Sequence, residues 1–154
     1  MVPVDDLDRI MAVMITAFPP DYGEAWNRRQ VGDALLIGRT RYGLIGADGG
    51  EHPEDAETTA GFFLSRSIFD EEELLLFAVA PQYRRRGLGD SLLTRFIAQA
   101  RAAGMARLFL EMREGNPAGN LYSKHGFQPI GIRPGYYRST SGERIAAISQ
   151  ELRL

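Results

Sequence analysis

The stretch LLLFAVAPQYRRRGLGDSLLTRFIAQARAAG, Leu74 to Gly104, constrains this chain more than any other. It opens on seven apolar residues, LLLFAVA, which Pro81 ends as it would end a buried strand. Leu88, Leu92, Phe96 and Ala100 then recur four apart, flanked by Leu93 and Ile97, which predicts an amphipathic helix stopped at Gly104. YRRRGLG is therefore a strand-to-helix turn running into a helix N-terminus. Free amides and the positive end of the helix dipole make such a terminus an anion site. Gly87 and Gly89 let a ligand approach the backbone closely, and Arg84, Arg85 and Arg86 add local positive charge. A pyrophosphate suits this turn; a tight turn carrying solvated arginines accounts for the turn alone equally well. No Lys-Ser/Thr pair follows the glycines, and their spacing is not that of a dinucleotide fingerprint.

Around this unit the chain alternates elements. Leu7, Ile10, Met11, Met14, Ile15 and Phe18 predict a first helix, with Asp5, Asp6 and Asp8 near its N-terminal end and Pro19-Pro20 as its stop. A second helix is expected over Glu24 to Leu36. Strands are expected over 34–40, 42–47, 58–68 and 74–79, with a polar loop from Asp48 to Glu57. After the helix ending near Ala103 come a strand from Arg107 to Met112, a short helix from Ala118 to His125 capped by Gly126, and strands over 127–132 and 144–152. This order predicts one α/β (α+β) domain over residues 1–154, a central mixed, mostly antiparallel sheet flanked by helices.

The balance of 18 basic and 20 acidic residues, net −2, gives no overall field toward nucleic acid, and no groove-reading helix or aromatic RNA platform is visible. The absence of cysteine excludes disulfides, a cysteine nucleophile and zinc–thiolate sites. His52 and His125 are too few for a histidine-rich metal site, so no metal is expected. The start MVPVDDLDRI has no signal-peptide pattern, and no apolar run approaches the ~18 residues of a membrane span. A cytoplasmic protein without membrane or nucleic-acid partners is the expectation.

Two further side chains carry candidate chemistry. Glu111 interrupts the apolar strand ARLFLEM and by alternation shares a face with Phe109, while Leu108, Leu110 and Met112 face the other side. It is either an exposed strand end or a general base. Tyr122, in LYSKHGF, is either a core residue or a proton donor. The run Glu71 to Glu73 reads as solvated charge, or as an attraction for a basic peptide.

The pattern V-x-P-x-x-R-x-x-G-x-G, here Val79, Pro81, Arg84, Gly87 and Gly89, followed by an amphipathic helix, resembles the acetyl-CoA-binding motif of the GNAT N-acetyltransferases. The resemblance implies that the amides of Arg85 to Asp90, including Arg86 and Leu88, hold the pyrophosphate of the co-substrate acetyl-CoA. It implies that Phe77, Ala78 and Val79 pair with the pantetheine arm. LEMR, LYSKHGF, RPGYYR and FPPDYGEAW are similar to the RimI-type ribosomal-protein alanine N-acetyltransferases within that family. By that resemblance Glu111 is the general base, Tyr122 the general acid, Asn116 a coenzyme A contact, and Tyr136 and Tyr137 substrate contacts, with Trp26 as the N-terminal aromatic. The implied reaction is direct acetyl transfer to a protein N-terminal amine, the N-terminal alanine of a small-subunit ribosomal protein. An α-amine, with a pKa of about 7.7–8.0, is easier to present neutral than a lysine near 10.4. The same motifs are compatible with a small-molecule or other protein amine as acceptor, or with a silent acetyl-CoA-binding module. The chain departs from the pattern in a spacing from Asn116 to Tyr122 that is one residue short, in Asn120 where a small apolar residue is usual, and in a first strand that is very short or absent within Met1 to Val4.

Overall fold

The computed structural model describes residues 4–154. The expectation about a first strand falls, but for Val4, outside these residues; Val4 itself opens helix α1 (Val4–Ala17). A single turn over Pro20–Tyr22 leads to helix α2 (Arg28–Leu35). Strands β1 (Thr40–Gly46), β2 (Thr59–Ile68) and β3 (Glu71–Val79) follow. Helix α3 (Leu88–Ala102), β4 (Arg107–Arg113), helix α4 (Gly119–Lys124), β5 (Gln128–Arg138) and β6 (Arg144–Arg153) complete the chain. No described helix is long and apolar enough to cross a membrane.

The six strands form one mixed sheet in the order β1-β2-β3-β4-β6-β5. Every neighbouring pair is antiparallel except β3 and β4, which α3 connects in parallel. Apolar side chains split between the two faces. Ile10, Val13 and Met14 of α1 pack with Phe62, Leu64, Leu76 and Ala78 on one. Leu92, Leu93 and Phe96 of α3 pack with Phe63, Leu74, Leu108 and Leu110 on the other.

One irregularity in β3 decides the site. Leu64 pairs with Leu76 but Ser65 pairs with Leu74, so Leu75 is an extra residue, a β-bulge. Leu74 faces α3 and Leu76 faces α1, although strict alternation would put both on one face. A bulge also bends its strand, and the β3–β4 ladder ends here, at Leu74 and Leu110. Beyond it the two parallel strands part. Residues Leu75–Val79 keep β2 on one side and have no strand on the other.

Three expectations are corrected. Residues 34–40 are not a strand: the amides of Leu36 and Ile37 bond the carbonyls of Asp33 and Ala34, continuing the end of α2, and β1 begins only at Thr40. Helix α2 begins at Arg28 rather than Glu24, because Asn27 caps it. The Asn27 side chain accepts from the Gln30 amide and the Gln30 side chain from the Asn27 amide, both at 2.8 Å. And β5 runs on to Arg138 through two register shifts, placing Tyr136 and Tyr137 on a strand.

Candidate active site

The turn after β3 is built as an amide cradle. Gly87, the residue before α3, has φ +76, a left-handed conformation that an L side chain strains to adopt. Ser91 supplies the first amide of the helix to find a carbonyl, on Gly87 at 3.1 Å. Among the described residues the amides of Arg85 through Asp90 have no backbone acceptor. A cleft of about 720 Å³ opens over them, lined by Phe77 to Val79, Arg84, Arg85, Gly87 to Asp90, and Asn116 to Ala118. Hydrogen bonds from amides to a phosphate oxygen are charge-assisted, about 1.5–3 kcal/mol each.

The free edge of β3 forms the cleft's inner wall. Ala80 donates to Ala60 in β2 (2.7 Å), and by antiparallel alternation Ala78 also faces β2. Phe77 and Val79 therefore turn their backbone groups into the gap. An extended amide-bearing arm can lie there as a stand-in strand.

The three arginines separate. Arg84 is held inward, donating from Nε to the Val79 carbonyl (2.9 Å) and from Nη2 to the Ala17 carbonyl (2.8 Å), so it ties the end of β3 to the end of α1. Arg85 lines the cleft. Arg86 lies outside the lining, its guanidinium 5.6 Å from the Tyr83 ring centre. Two of the three thus contribute no free side-chain charge to the cradle. The Asp90 carboxylate turns to α4, where Lys124 (3.0 Å) and His125 (2.8 Å) hold it. Their hydrogen bonds, Lys124's first, keep its pKa below the usual carboxylate range.

A second cleft of about 290 Å³ continues the gap toward β5. Glu111, Tyr122, Trp26, Tyr136 and Tyr137 line it, so the structure brings these predicted residues together. Phe18, Glu24, Phe77 and Asn116 line both clefts and mark where they meet. Glu111 Oε2 accepts from Arg133 (2.9 Å) and Ser149 (3.4 Å). Arg133 in turn lies 4.3 Å from the Tyr136 ring centre, and Tyr136 packs edge-on against Tyr137. Tyr122 is buried edge-to-face between Phe77 (5.9 Å) and Phe127 (5.8 Å). Burial first, then the Glu24 carboxylate, drive its pKa upward and keep the phenol protonated. The same causes, with Glu111 added, push Tyr137 up to about 12.

Asn116 holds the start of α4, its Oδ1 accepting from the Ala118 amide at 3.0 Å. Asn120 is exposed, which explains why a polar residue is tolerated there. Glu72 corrects the reading of the acidic run as solvated. It is fully buried, bonded by Ser65 (2.5 Å) and Arg41 (2.9 Å), while Glu71 pairs with Arg107 and Glu73 with Arg66. Ile15, part of the apolar pattern that predicts α1, is 75% exposed and lines the first cleft. The sequence reading missed Glu24 and Arg113, joined at 3.4 Å. The capping pair Asn27 and Gln30 was the available signal, because it leaves Glu24 in a loop.

A sheet parted between two parallel strands, with an amide cradle at the end of the parting strand, is the framework of acetyltransferases of the GNAT type. The acetyltransferase (GNAT) domain model matches residues 51–129, just over half of the chain, and the chain belongs to that family. Among curated relatives, the ribosomal protein bS18-alanine N-acetyltransferase of Haemophilus influenzae is 40% identical over 88 residues, 57% of this chain and 60% of that protein. Its counterpart in Escherichia coli K12 is 40% identical over 90 residues, 58% of this chain and 61% of that protein. The matched segment thus spans about three fifths of the length of these relatives. The crystal structure of the Escherichia coli ribosomal-protein-S18-alanine N-acetyltransferase superposes with a TM-score of 0.79 at 29% identity, covering 99% of this chain and 90% of that one.

Proposed function

We propose that this protein transfers the acetyl group of acetyl-CoA directly to a protein N-terminal α-amine, that of an N-terminal alanine on a small-subunit ribosomal protein, in the cytoplasm. The observation that carries the reading is the meeting of the amide-lined cleft with the side-chain-lined cleft at Phe77, where Glu111 and Tyr122 face one gap. The names of the relatives support the choice of acceptor.

In this reading the amides of Arg85 to Asp90 hold the pyrophosphate, and the backbone groups of Phe77 and Val79 align the pantetheine arm. A β3 amide in the gap polarises the thioester carbonyl. Glu111 draws the proton from the acceptor amine through water, since Arg133 and Ser149 already occupy one of its oxygens. Tyr122, kept protonated by burial, returns a proton to the departing thiolate. Tyr136 and Tyr137 form the wall along which the acceptor's first residues lie.

Intact-mass analysis of small-subunit ribosomal proteins after incubation with this protein and acetyl-CoA tests the reading. One acetyl group on one protein, mapped to an N-terminal alanine, is the expected result. Acetyl-CoA binding without transfer to any ribosomal protein removes the proposed acceptor.

A further inference from the structure

Between the end of α1 and the start of α2, the loop from Phe18 to Asn27 reaches across the place where the clefts meet, and it brings a carboxylate there. Glu24 lines the cofactor cleft and the acceptor cleft, whereas Glu111 lines only the acceptor cleft. The Glu24 side chain is 11% exposed. Arg113, at the end of β4, donates from Nε to Glu24 Oε1 at 3.4 Å, and its guanidinium sits 3.9 Å from the Tyr22 ring centre. The ion pair and the stacked ring fix the loop against β4 from two sides. Among the described residues Glu24 Oε2 receives no hydrogen bond, and it is not sealed from its surroundings. Of the three phenols that line the acceptor cleft, Tyr122 and Tyr137 are pushed up in part by the charge of Glu24. Of the two carboxylates, Glu24 is the one that lines both clefts, where they meet at Phe77.

We propose that Glu24 is a substrate-positioning residue: its free oxygen, Oε2, accepts an N–H of the acceptor amine and turns the nitrogen lone pair toward the thioester where the two clefts meet. The inference rests on the acetyltransferase reading above and adds the group that orients the nucleophile. Chemistry favours this arrangement for a specific reason. An uncompensated carboxylate would hold the incoming amine as ammonium, which cannot attack. Arg113 offsets the charge of Glu24 through Oε1, so Oε2 remains an acceptor without a strong claim on the proton. Deprotonation then belongs to Glu111 and its water, and orientation belongs to Glu24. Correct alignment of two reacting atoms is among the larger contributions an enzyme makes to rate.

Steady-state kinetics of Glu24→Gln with acetyl-CoA and a short peptide bearing an N-terminal alanine, beside direct measurement of acetyl-CoA affinity, test the inference. Glutamine keeps the shape, but Arg113 claims its single carbonyl oxygen, so the amide NH2 faces the acceptor's own N–H. The expected result is a fall in kcat/KM for the peptide of about 30-fold, with acetyl-CoA affinity within about twofold of wild type. Glu24→Asp, which restores a carboxylate on a shorter arm, recovers part of the loss. Unchanged kcat/KM for the peptide overturns the inference and leaves the acetyltransferase reading standing. A parallel loss of acetyl-CoA affinity also overturns it, because Glu24 is then only a wall of the cofactor cleft. A wild-type protein that binds acetyl-CoA but acetylates no such peptide brings down the acceptor reading, and this inference with it.

Discussion

The two clefts that meet at Phe77 are made of different material. The cofactor cleft offers main chain: among the described residues six amides from Arg85 to Asp90 have no backbone acceptor, and the edge of β3 beyond Leu74 is open. The acceptor cleft is built from side chains that arrive from distant parts of the sequence, Glu24 and Trp26 from a loop, Glu111 from β4, Tyr122 from α4, and Tyr136 and Tyr137 from β5. Main-chain recognition needs the right turn and small residues within it, whatever the neighbouring side chains are. Side-chain recognition depends on which residue stands at each position. One cleft should therefore be damaged by changes of backbone conformation, the other by single-atom changes of side chain.

The sharpest break is at Gly87. A residue with a Cβ there must adopt φ +76, at about 1–2 kcal/mol for a non-glycine residue, or move the amides that follow. Gly87→Glu also places a carboxylate at the amide cradle, where the proposed function holds phosphate. Acetyl-CoA affinity is expected to fall about 10²–10³-fold, read by calorimetry, from the strain and the loss of one or two charge-assisted hydrogen bonds. Unaltered affinity would mean that the amide cradle is not the phosphate site.

Glu111→Gln is the reciprocal change, one atom in the acceptor cleft. Turnover should drop about 10²-fold, the usual contribution of a positioned base, with acetyl-CoA affinity intact. Its ion pair with the half-exposed Arg133 adds little to stability, about 1 kcal/mol or less, so the melting temperature should hardly move. Equal turnover of variant and wild type from pH 6 to pH 9 would remove Glu111 from the proton path.

This difference in material also explains what the sequence could tell. The cofactor cleft was legible because its determinants are contiguous: an apolar strand, a glycine-bearing turn and an amphipathic helix within Leu74 to Gly104. The bulge at Leu75 was not legible, since LLLFAVA looks the same with or without a residue left unpaired. Nor was the inward turn of Arg84, whose acceptors include Ala17, far along the chain. Glu72 was misread for the same reason, because its partners Ser65 and Arg41 belong to other strands. In the acceptor cleft Glu111 stood out as a carboxylate in an apolar strand, and the choice between a structural and a catalytic role for it and for Tyr122 came only from family resemblance. Glu24 stayed hidden behind an expected helix that Asn27 in fact begins later.

Tyr122 tests whether a residue can belong to the core and to the acceptor cleft together. Tyr122→Phe keeps both edge-to-face contacts, with Phe77 and Phe127, and removes only the hydroxyl. A fall in kcat of about tenfold is expected, limited because water can also protonate a thiolate, with the melting temperature preserved. Tyr122→Ala should instead cost about 3–5 kcal/mol of stability, as for other large aromatic truncations in a core. A Phe variant that loses stability as much as activity would assign Tyr122 to packing alone.

The smallest expected effect lies where the two kinds of cleft are tied together. Asp90 contributes its amide to the cradle, while its carboxylate holds Lys124 and His125 at the end of the helix that carries Tyr122. The pairing with Lys124 also offsets a negative charge at the mouth of the amide cradle. Because the folded pKa of Asp90 is lowered, its contribution to stability is complete above the ordinary carboxylate range and is lost as pH falls through the folded value. Asp90→Asn should therefore melt slightly below wild type near neutral pH, and the gap should close as pH falls below the ordinary carboxylate range. Because the tether reaches α4, kcat should fall more than acetyl-CoA affinity, since Tyr122 loses its placement while the cradle amides keep theirs. The opposite ratio, affinity lost and turnover kept, would mean that Asp90 serves the cofactor cleft alone and that α4 holds Tyr122 without it.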